Sequence, residues 1–192
     1  IQTSCELMLE DGSLSPKARE RLEKIDAAAA RLADLVNAFL LMAREEADGI
    51  RGEVDLRECV EEVAEGVRER AVAKGLTLLV DAPESLPLRV PRRALHVVLS
   101  NLLANAVSYT ERGTVALRTR GGTVEITDTG HGVAPEQIPE LFRRFRRGDS
   151  LATGEGFGLG LAIVKRICEQ AGWKVSIERR AEGGTRVLLA LI

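Results

Sequence analysis

Between residues 16 and 47, apolar side chains fall alternately three and four positions apart: Leu22, Ile25, Ala29, Leu32, Val36 and Phe39. That spacing is a heptad seam, the narrow apolar stripe of a helical bundle or coiled coil. Pro16, following Ser15, suits an early helical position. Residues 1–10 are apolar enough (Ile1, Leu7, Met8, Leu9) to be the end of a preceding helix, with Asp11-Gly12-Ser13 as the turn. The pattern predicts a helical hairpin with a shortened first arm over residues 1–47. Such a hairpin cannot bury its seam alone, so a homodimer through residues 16–47 is expected in the intact protein. The alternative is that the seam packs on the rest of the same chain.

Asp48-Gly-Ile-Arg-Gly52 reads as a linker, set at residues 48–53. From 54 to 192 the pattern alternates between helix and strand. A helix is predicted over 55–74, stopped by Gly75, then a strand over 76–80 and a helix over 91–109. Strands at 114–120 and 123–127 form a hairpin across Gly121-Gly122. A short helix follows over 135–145, a loop over 148–157 and a helix over 158–171. A second hairpin, 174–179 with 185–191, turns through Glu182-Gly183-Gly184. The expectation is an α/β (α+β) domain with helices on one face of a mixed sheet.

Composition narrows the function classes. A chain of 192 residues, 45% hydrophobic, suits one good-sized domain and something smaller. The formal net charge of −2 supplies no bulk basic field, which argues against nucleic acid as a partner. The longest apolar run, 35–43, contains Asn37 and is too short to span a bilayer, so no membrane contact is expected of this segment. There is no signal-peptide pattern. A first residue of Ile leads us to expect a fragment or a processed product. Cys5, Cys59 and Cys168 are odd in number and far apart, which suggests neither a disulfide framework nor a metal site but buried thiols in a reducing compartment.

Three segments carry candidate chemistry. Gly154-Glu-Gly-Phe-Gly-Leu-Gly-Leu-Ala-Ile-Val164 runs a glycine-rich loop into an apolar helix. Free N–H groups opening a helix N-terminus suit an anion, and phosphate is the natural one; a flexible connector is the plainer alternative. The loop is neither a Walker A motif, which needs Gly-Lys-Ser/Thr, nor a dinucleotide fingerprint. In the helix from Pro91, Asn101, Asn105 and Ser108 share a face distinct from the apolar one. Asn is a poor helix former, and two at i, i+4 need a reason. Either the face is solvated, or the amide oxygens serve as hard neutral ligands of the kind Mg²⁺ accepts beside phosphates. Asp128 ends a predicted strand, with Gly130 and Gly132 leaving room beside it. A carboxylate there could accept from an exocyclic amine such as adenine's, or could simply form an Asx-turn.

Taken together, these segments resemble sensor histidine kinases. Asn101-Leu-Leu-Ala-Asn-Ala-Val-Ser-Tyr-Thr110 looks like the family's N box, and Asp128-Thr-Gly-His-Gly132 like its G1 box. Leu141-Phe-Arg-Arg-Phe-Arg-Arg-Gly-Asp149 resembles the F box, Gly156-Phe-Gly-Leu-Gly-Leu161 the G2 box, and Gly183-Gly184-Thr185 a final glycine motif. The resemblance spans residues 54–192, and the hairpin of 1–47 is similar to the family's dimerisation and phosphoacceptor domain. It implies the two-layer ATP-binding sandwich of the gyrase, chaperone and histidine-kinase type. By motif, Asn105 would ligate Mg²⁺, with Asn101 beside the phosphates. Asp128 would bind the adenine amine, with Gly130, Gly132 and Thr185 near the base and Tyr109 flanking the nucleotide. Gly156, Gly158, Leu159 and Gly160 would hold the phosphates of ATP or ADP, and Arg144 or Arg147 would reach the γ-phosphate from a lid at 143–157. The implied partner is a response regulator receiver domain, and the implied setting is a cytoplasmic fragment of a protein in the bacterial inner membrane.

Several departures accompany the likeness. Ser108 stands where many family members have Lys or Arg, and Arg143 and Arg146 replace the commoner Glu and Tyr of the F box. The family's phosphoacceptor His has no counterpart here: the histidines are His96 and His131, neither in a helical context suited to phosphorylation. A gyrase- or chaperone-like ATPase is a rival reading, but such enzymes place a water-activating acid where this chain has Asn101. A non-catalytic nucleotide-sensing or dimerisation module is another.

Overall fold

The computed structural model describes residues 52–141 and 160–191, with scattered positions between Ser15 and Ala29. Of the expected hairpin of 1–47 only those scattered positions are described, helical at 17–19, 21, 22, 25 and 29; the rest of it, most of the 48–53 linker and the lid of 143–157 lie outside the described residues.

Two strands, β1 (Glu53–Asp55) and β3 (Pro87–Arg89), pair antiparallel as a small separate sheet. The main sheet holds β2 (Leu76–Asp81), β4 (Gly113–Arg120), β5 (Thr123–Asp128), β6 (Lys174–Arg179) and β7 (Thr185–Ala190), in the order β2-β4-β5-β7-β6. The β2–β4 pair is parallel and the others antiparallel. The helices are α1 (Leu56–Ala73), α2 (Arg92–Tyr109), the short α3 (Ile138–Leu141) and α4 (Gly160–Ala171). This is the expected mixed sheet with helices, in two layers.

Strand alternation explains which face is covered. Val115 and Leu117 of β4, Val124 and Ile126 of β5, and Leu189 of β7 share one face by register and are buried. They meet Val60, Val63 and Val67 of α1, Leu95, Leu99, Leu102 and Leu103 of α2, and Val164 and Ile167 of α4 in one core. Helix α2 lies between α1 and α4 and crosses β4 and β5. The opposite face is polar. Arg186 of β7 bridges Glu125 of β5 at 3.1 Å and Glu178 of β6 at 2.9 Å, and Arg120 of β4 pairs with Asp81 of β2 at 2.8 Å.

Local chemistry sets the element ends. Asp55 caps α1, its Oδ1 accepting from the N–H of Arg57 at 2.8 Å and of Glu58 at 3.4 Å, while Oδ2 accepts from the Ser85 hydroxyl. The two-residue turn of the first hairpin needs positive φ at both positions, and Gly121 (+50°) and Gly122 (+78°) provide it. Cys59 and Cys168 are free and buried, and burial pushes their thiols up to about 11 and about 12, which keeps them protonated, in line with the reading of buried, inert thiols; Cys5 lies outside the described residues.

The differences from expectation are local. Glu53, assigned to the linker, opens β1 instead. The helix expected over 135–145 begins as a 3₁₀ turn at Pro135–Gln137 before α3, and residues 142–145 lie outside the described residues. Of the helix expected over 158–171, residues 158 and 159 lie outside the described residues.

Candidate functional site

The apolar residues of α2 face the core, and Asn101, Asn105 and Ser108 are left half-buried along its flank. Each polar side chain must find a partner near its own helix. Asn101 Nδ2 donates back to the Val97 carbonyl at 2.8 Å, and the Ser108 hydroxyl to the Ala104 carbonyl at 2.6 Å. Pinned by its nitrogen, the Asn101 amide directs Oδ1 at the start of α4. A Cβ placed on Gly160 would stand 2.8 Å from Asn101 Oδ1 and 3.8 Å from Asn105 Nδ2. The two asparagines therefore flank the described start of α4, and a side chain at 160 would have to displace the Asn101 amide. The first turn of α4 carries no acidic side chain, so its N–H groups keep their partial positive charge.

The second cluster forms where β5 ends. Asp128 is 6% exposed, and its Oδ1 accepts from the N–H of Gly130 at 2.8 Å and of Thr185 at 3.1 Å. The first of these is the Asx-turn that the sequence offered as the plainer account. The second comes from another strand, which a local turn does not require. Burial raises the Asp128 carboxyl above the usual carboxylate range, against the pull of the N–H groups of Gly130 and Thr185, the Thr185 hydroxyl and the nearby His131. A buried carboxylate so held is an acceptor for a ligand donor.

Glycine is required at three positions around this corner. A side chain on Gly130 would run into the Tyr109 carbonyl, one on Gly132 (φ +72°) into the Gly184 carbonyl, and one on Gly184 (φ +86°) into the Asp128 carbonyl. The loop after β5 is thereby seated on the end of α2. There the Tyr109 ring, 39% exposed, meets the His131 ring edge-on, with centroids 5.8 Å apart at 85°. The His131 ring is anchored by Nδ1, 2.6 Å from the Gly132 carbonyl.

Helix α2 thus joins two poles. From Asn101 to Tyr109 the rise is about 12 Å, with amides and a helix start at one end and, at the other, Tyr109, whose ring meets His131 and whose carbonyl lies across Gly130 from the Asp128 carboxylate. The arrangement suits an elongated ligand, anionic at one end and hydrogen-bond-donating at the other. Asn101, Asn105, Tyr109, Asp128, Gly130, Gly132, Gly160 and Thr185 are brought together along this line. Arg144, Arg147, Gly156, Gly158 and Leu159 lie outside the described residues. A separate open cleft of about 650 Å³ lies between α1 and the end of β2, but its charges are already paired, Arg57 with Glu61 at 2.8 Å, Arg68 with Glu65 at 2.7 Å and Asp81 with Arg120 at 2.8 Å.

Two residues near the site escaped sequence reasoning. Arg180 donates through Nη1 to the Asp128 carbonyl at 2.9 Å. Lys74, just past α1, donates through Nζ to the carbonyls of Val107 and Ser108 at 2.8 and 2.9 Å. A positive charge thus does sit beside position 108, spent on the end of α2. Lysine at a helix terminus reads from sequence as the partner of its own helix; here it serves the neighbour.

Residues 91–191 match the family described as histidine kinase-, DNA gyrase B-, and HSP90-like ATPase. Histidine protein kinase DivJ of Caulobacter vibrioides is 34% identical over 94% of this chain and 32% of its own length. Sensor-like histidine kinase SenX3 of Mycobacterium bovis is 34% identical over 97% of this chain and 48% of its own. The chain spans less than half the length of either relative. Among solved structures, full-length ShkA in complex with AMPPNP is similar with a TM-score of 0.67 and 30% identity, covering 95% of this chain and 40% of that one.

Proposed function

This chain belongs to the histidine kinase-, DNA gyrase B-, and HSP90-like ATPase family, on its histidine-kinase side, and on that premise we propose that residues 54–192 bind ATP and direct its γ-phosphate to a histidine, for relay to the aspartate of a response regulator receiver domain. The observation that carries the reading is the single helix α2, whose asparagines flank the start of α4 while its last residue meets the loop after Asp128. The adenine amine would donate to Asp128, with Tyr109 along the base and Gly130, Gly132 and Thr185 shaping its corner. The phosphates would lie at the start of α4, held by the N–H groups there and at Gly156, Gly158 and Leu159, with Arg144 or Arg147 at the γ-phosphate.

The donor set fits Mg²⁺. Asn105, with Asn101 beside the phosphates, offers neutral amide oxygen, and a magnesium ion completes its shell with waters and phosphate oxygens rather than a protein cage. Bound there, the ion would neutralise phosphate charge. Asn101 has no basic carboxylate with which to activate water, which favours transfer to a protein acceptor over hydrolysis.

Residues 1–47 form, on this reading, the end of a dimerisation hairpin that joins the catalytic domain through a linker at 48–53, with a second copy across the seam of 16–47. The whole protein would be a sensor in the bacterial inner membrane; among the described residues no helix is long and apolar enough to cross a membrane. Calorimetric titration with Mg²⁺-ATP tests the core of the proposal. Saturable binding is expected, weakened in Asp128→Asn and Asn105→Ala, and a folded wild type that binds no adenine nucleotide overturns it. Sedimentation at several concentrations tests the seam: Leu32→Asp should abolish self-association, and a strict monomer unaltered by that change overturns the dimer.

A further inference from the structure

The ladder between β5 and β7 stops one rung short of Asp128, its last pair being Thr127 with Arg186. The N–H of Thr129 points toward β4, donating to the Thr114 carbonyl at 3.1 Å. The carbonyl of the same peptide unit, that of Asp128, therefore turns toward β7. A regular rung would give it the N–H of Thr185. That N–H goes instead to the Asp128 carboxylate, 3.1 Å from Oδ1, and the displaced carbonyl takes Nη1 of Arg180 at 2.9 Å.

Arg180 also closes the turn that delivers Thr185. Its N–H donates to the Gly184 carbonyl at 3.1 Å, and its carbonyl accepts from the Gly183 N–H at 3.2 Å. One residue thus holds the end of β5 by its side chain and the β6–β7 turn by its backbone. Its second nitrogen, Nη2, meets Glu182 at 2.8 Å, but Glu182 is 79% exposed against 28% for Arg180, so that ion pair adds little. The shielded bond is the one to Asp128.

We propose that Arg180 is a positioning residue for base recognition: by occupying the Asp128 carbonyl it leaves the Thr185 N–H to the carboxylate, and so fixes the carboxylate against a 6-amino purine and away from a 6-oxo purine. The proposal rests on the reading of Asp128 as the base acceptor. A 6-oxo group presents lone pairs where the amine presents N–H, and a rigid carboxylate rejects it. Without Arg180 the Thr185 N–H can return to the carbonyl. The carboxylate then loses one of the two N–H groups on Oδ1, turns more freely, and discriminates less.

The test is titration of ATP and of ITP onto wild type, Arg180→Ala, Arg180→Lys and Glu182→Ala, with a melting curve for each. Wild type should prefer ATP. Arg180→Ala should lower that preference about tenfold, chiefly through weaker ATP binding. Lysine, which keeps a donor of similar reach, should restore much of it, and Glu182→Ala should leave it intact. Arg180→Met keeps the aliphatic stem without the donor and carries the comparison if the alanine variant does not fold. An unchanged ATP-to-ITP ratio overturns the proposal, as does an equal loss of both nucleotides with a lowered melting temperature. A wild type that binds neither nucleotide defeats the base-site reading and this one with it; a wild type whose preference for ATP survives without Arg180 defeats this one alone.

Discussion

Oδ1 of Asn101 lies 2.8 Å from where a Cβ on Gly160 would stand, and Nδ2 of the same amide is bonded to the Val97 carbonyl at 2.8 Å. The amide is pinned at one end and crowded at the other, so a methyl group at 160 must displace it. Alanine is the better helix former by up to about 1 kcal/mol. Gly160→Ala should therefore keep or raise the melting temperature while weakening Mg²⁺-ATP about tenfold. A melt and a titration on the same sample check both halves. Unaltered affinity would mean that Asn101 swings aside without consequence for the ligand.

Asp128 should trade stability for binding. Burial is the largest influence on its carboxyl and raises it above the unfolded value. A carboxyl so raised stabilises the fold while protonated, and that contribution is lost as pH rises through the folded value. Asp128→Asn keeps an oxygen for the N–H groups of Gly130 and Thr185 without the buried charge. The variant should melt higher than wild type at neutral pH, with the gap closing as pH falls through the raised folded value and already closed below about 4. Its ATP affinity should fall by about 10- to 150-fold through loss of a charge-assisted hydrogen bond worth about 1.5–3 kcal/mol. Melting curves across pH, paired with calorimetry, separate the two effects. A variant less stable at neutral pH would show that the hydrogen bonds outweigh burial.

The periodic elements were readable because a buried stripe forces a repeat. The helices at 56–73 and 92–109 and both hairpins of the main sheet fall within a residue or so of expectation. β1 and β3 were not readable, since three residues cannot show an alternation. In the site, Asn101, Asn105, Asp128 and the glycines stood out because each breaks a local rule: amides inside a helix, a carboxylate in a buried strand, missing side chains where chains approach. Arg180 and Lys74 break none. Their roles come from contacts across 52 and 33–34 residues of sequence, which no local pattern encodes.

The bond from Lys74 to the end of α2 predicts a purely structural defect. α2 has no basic residue in its own last turn, so its carbonyl end relies on the Nζ donated to Val107 and Ser108. Lys74→Met should cost about 1–2 kcal/mol, read as a lower denaturant midpoint with the slope preserved. Nucleotide affinity of the folded variant should change little. A strong loss of affinity without loss of stability would instead place Lys74 among the ligand contacts.

The chain should bind ATP and yet carry no stable phosphoryl label by itself. Phosphoryl transfer requires a nucleophile in line with the γ-phosphorus, and positioning supplies much of the rate. Of the two histidines, His96 is half-buried on α2, its Nδ1 3.4 Å from the Ser100 hydroxyl. His131 lies in the loop after β5 with Nδ1 held by the Gly132 carbonyl, at the carboxylate pole and away from the start of α4. Neither is presented to the end where the phosphates are proposed to lie. Incubation with γ-labelled ATP should leave no acid-labile, base-stable label on this polypeptide. Label of that kind that vanishes in His96→Gln or His131→Gln would overturn the site's polarity as described. Supplying a helical hairpin that bears a phosphoacceptor histidine should produce labelling of the hairpin, and Asn105→Ala in this chain should abolish it. That pairing makes the outcome specific: labelling that survives Asn105→Ala would remove the asparagine from the metal site while leaving the kinase reading in place.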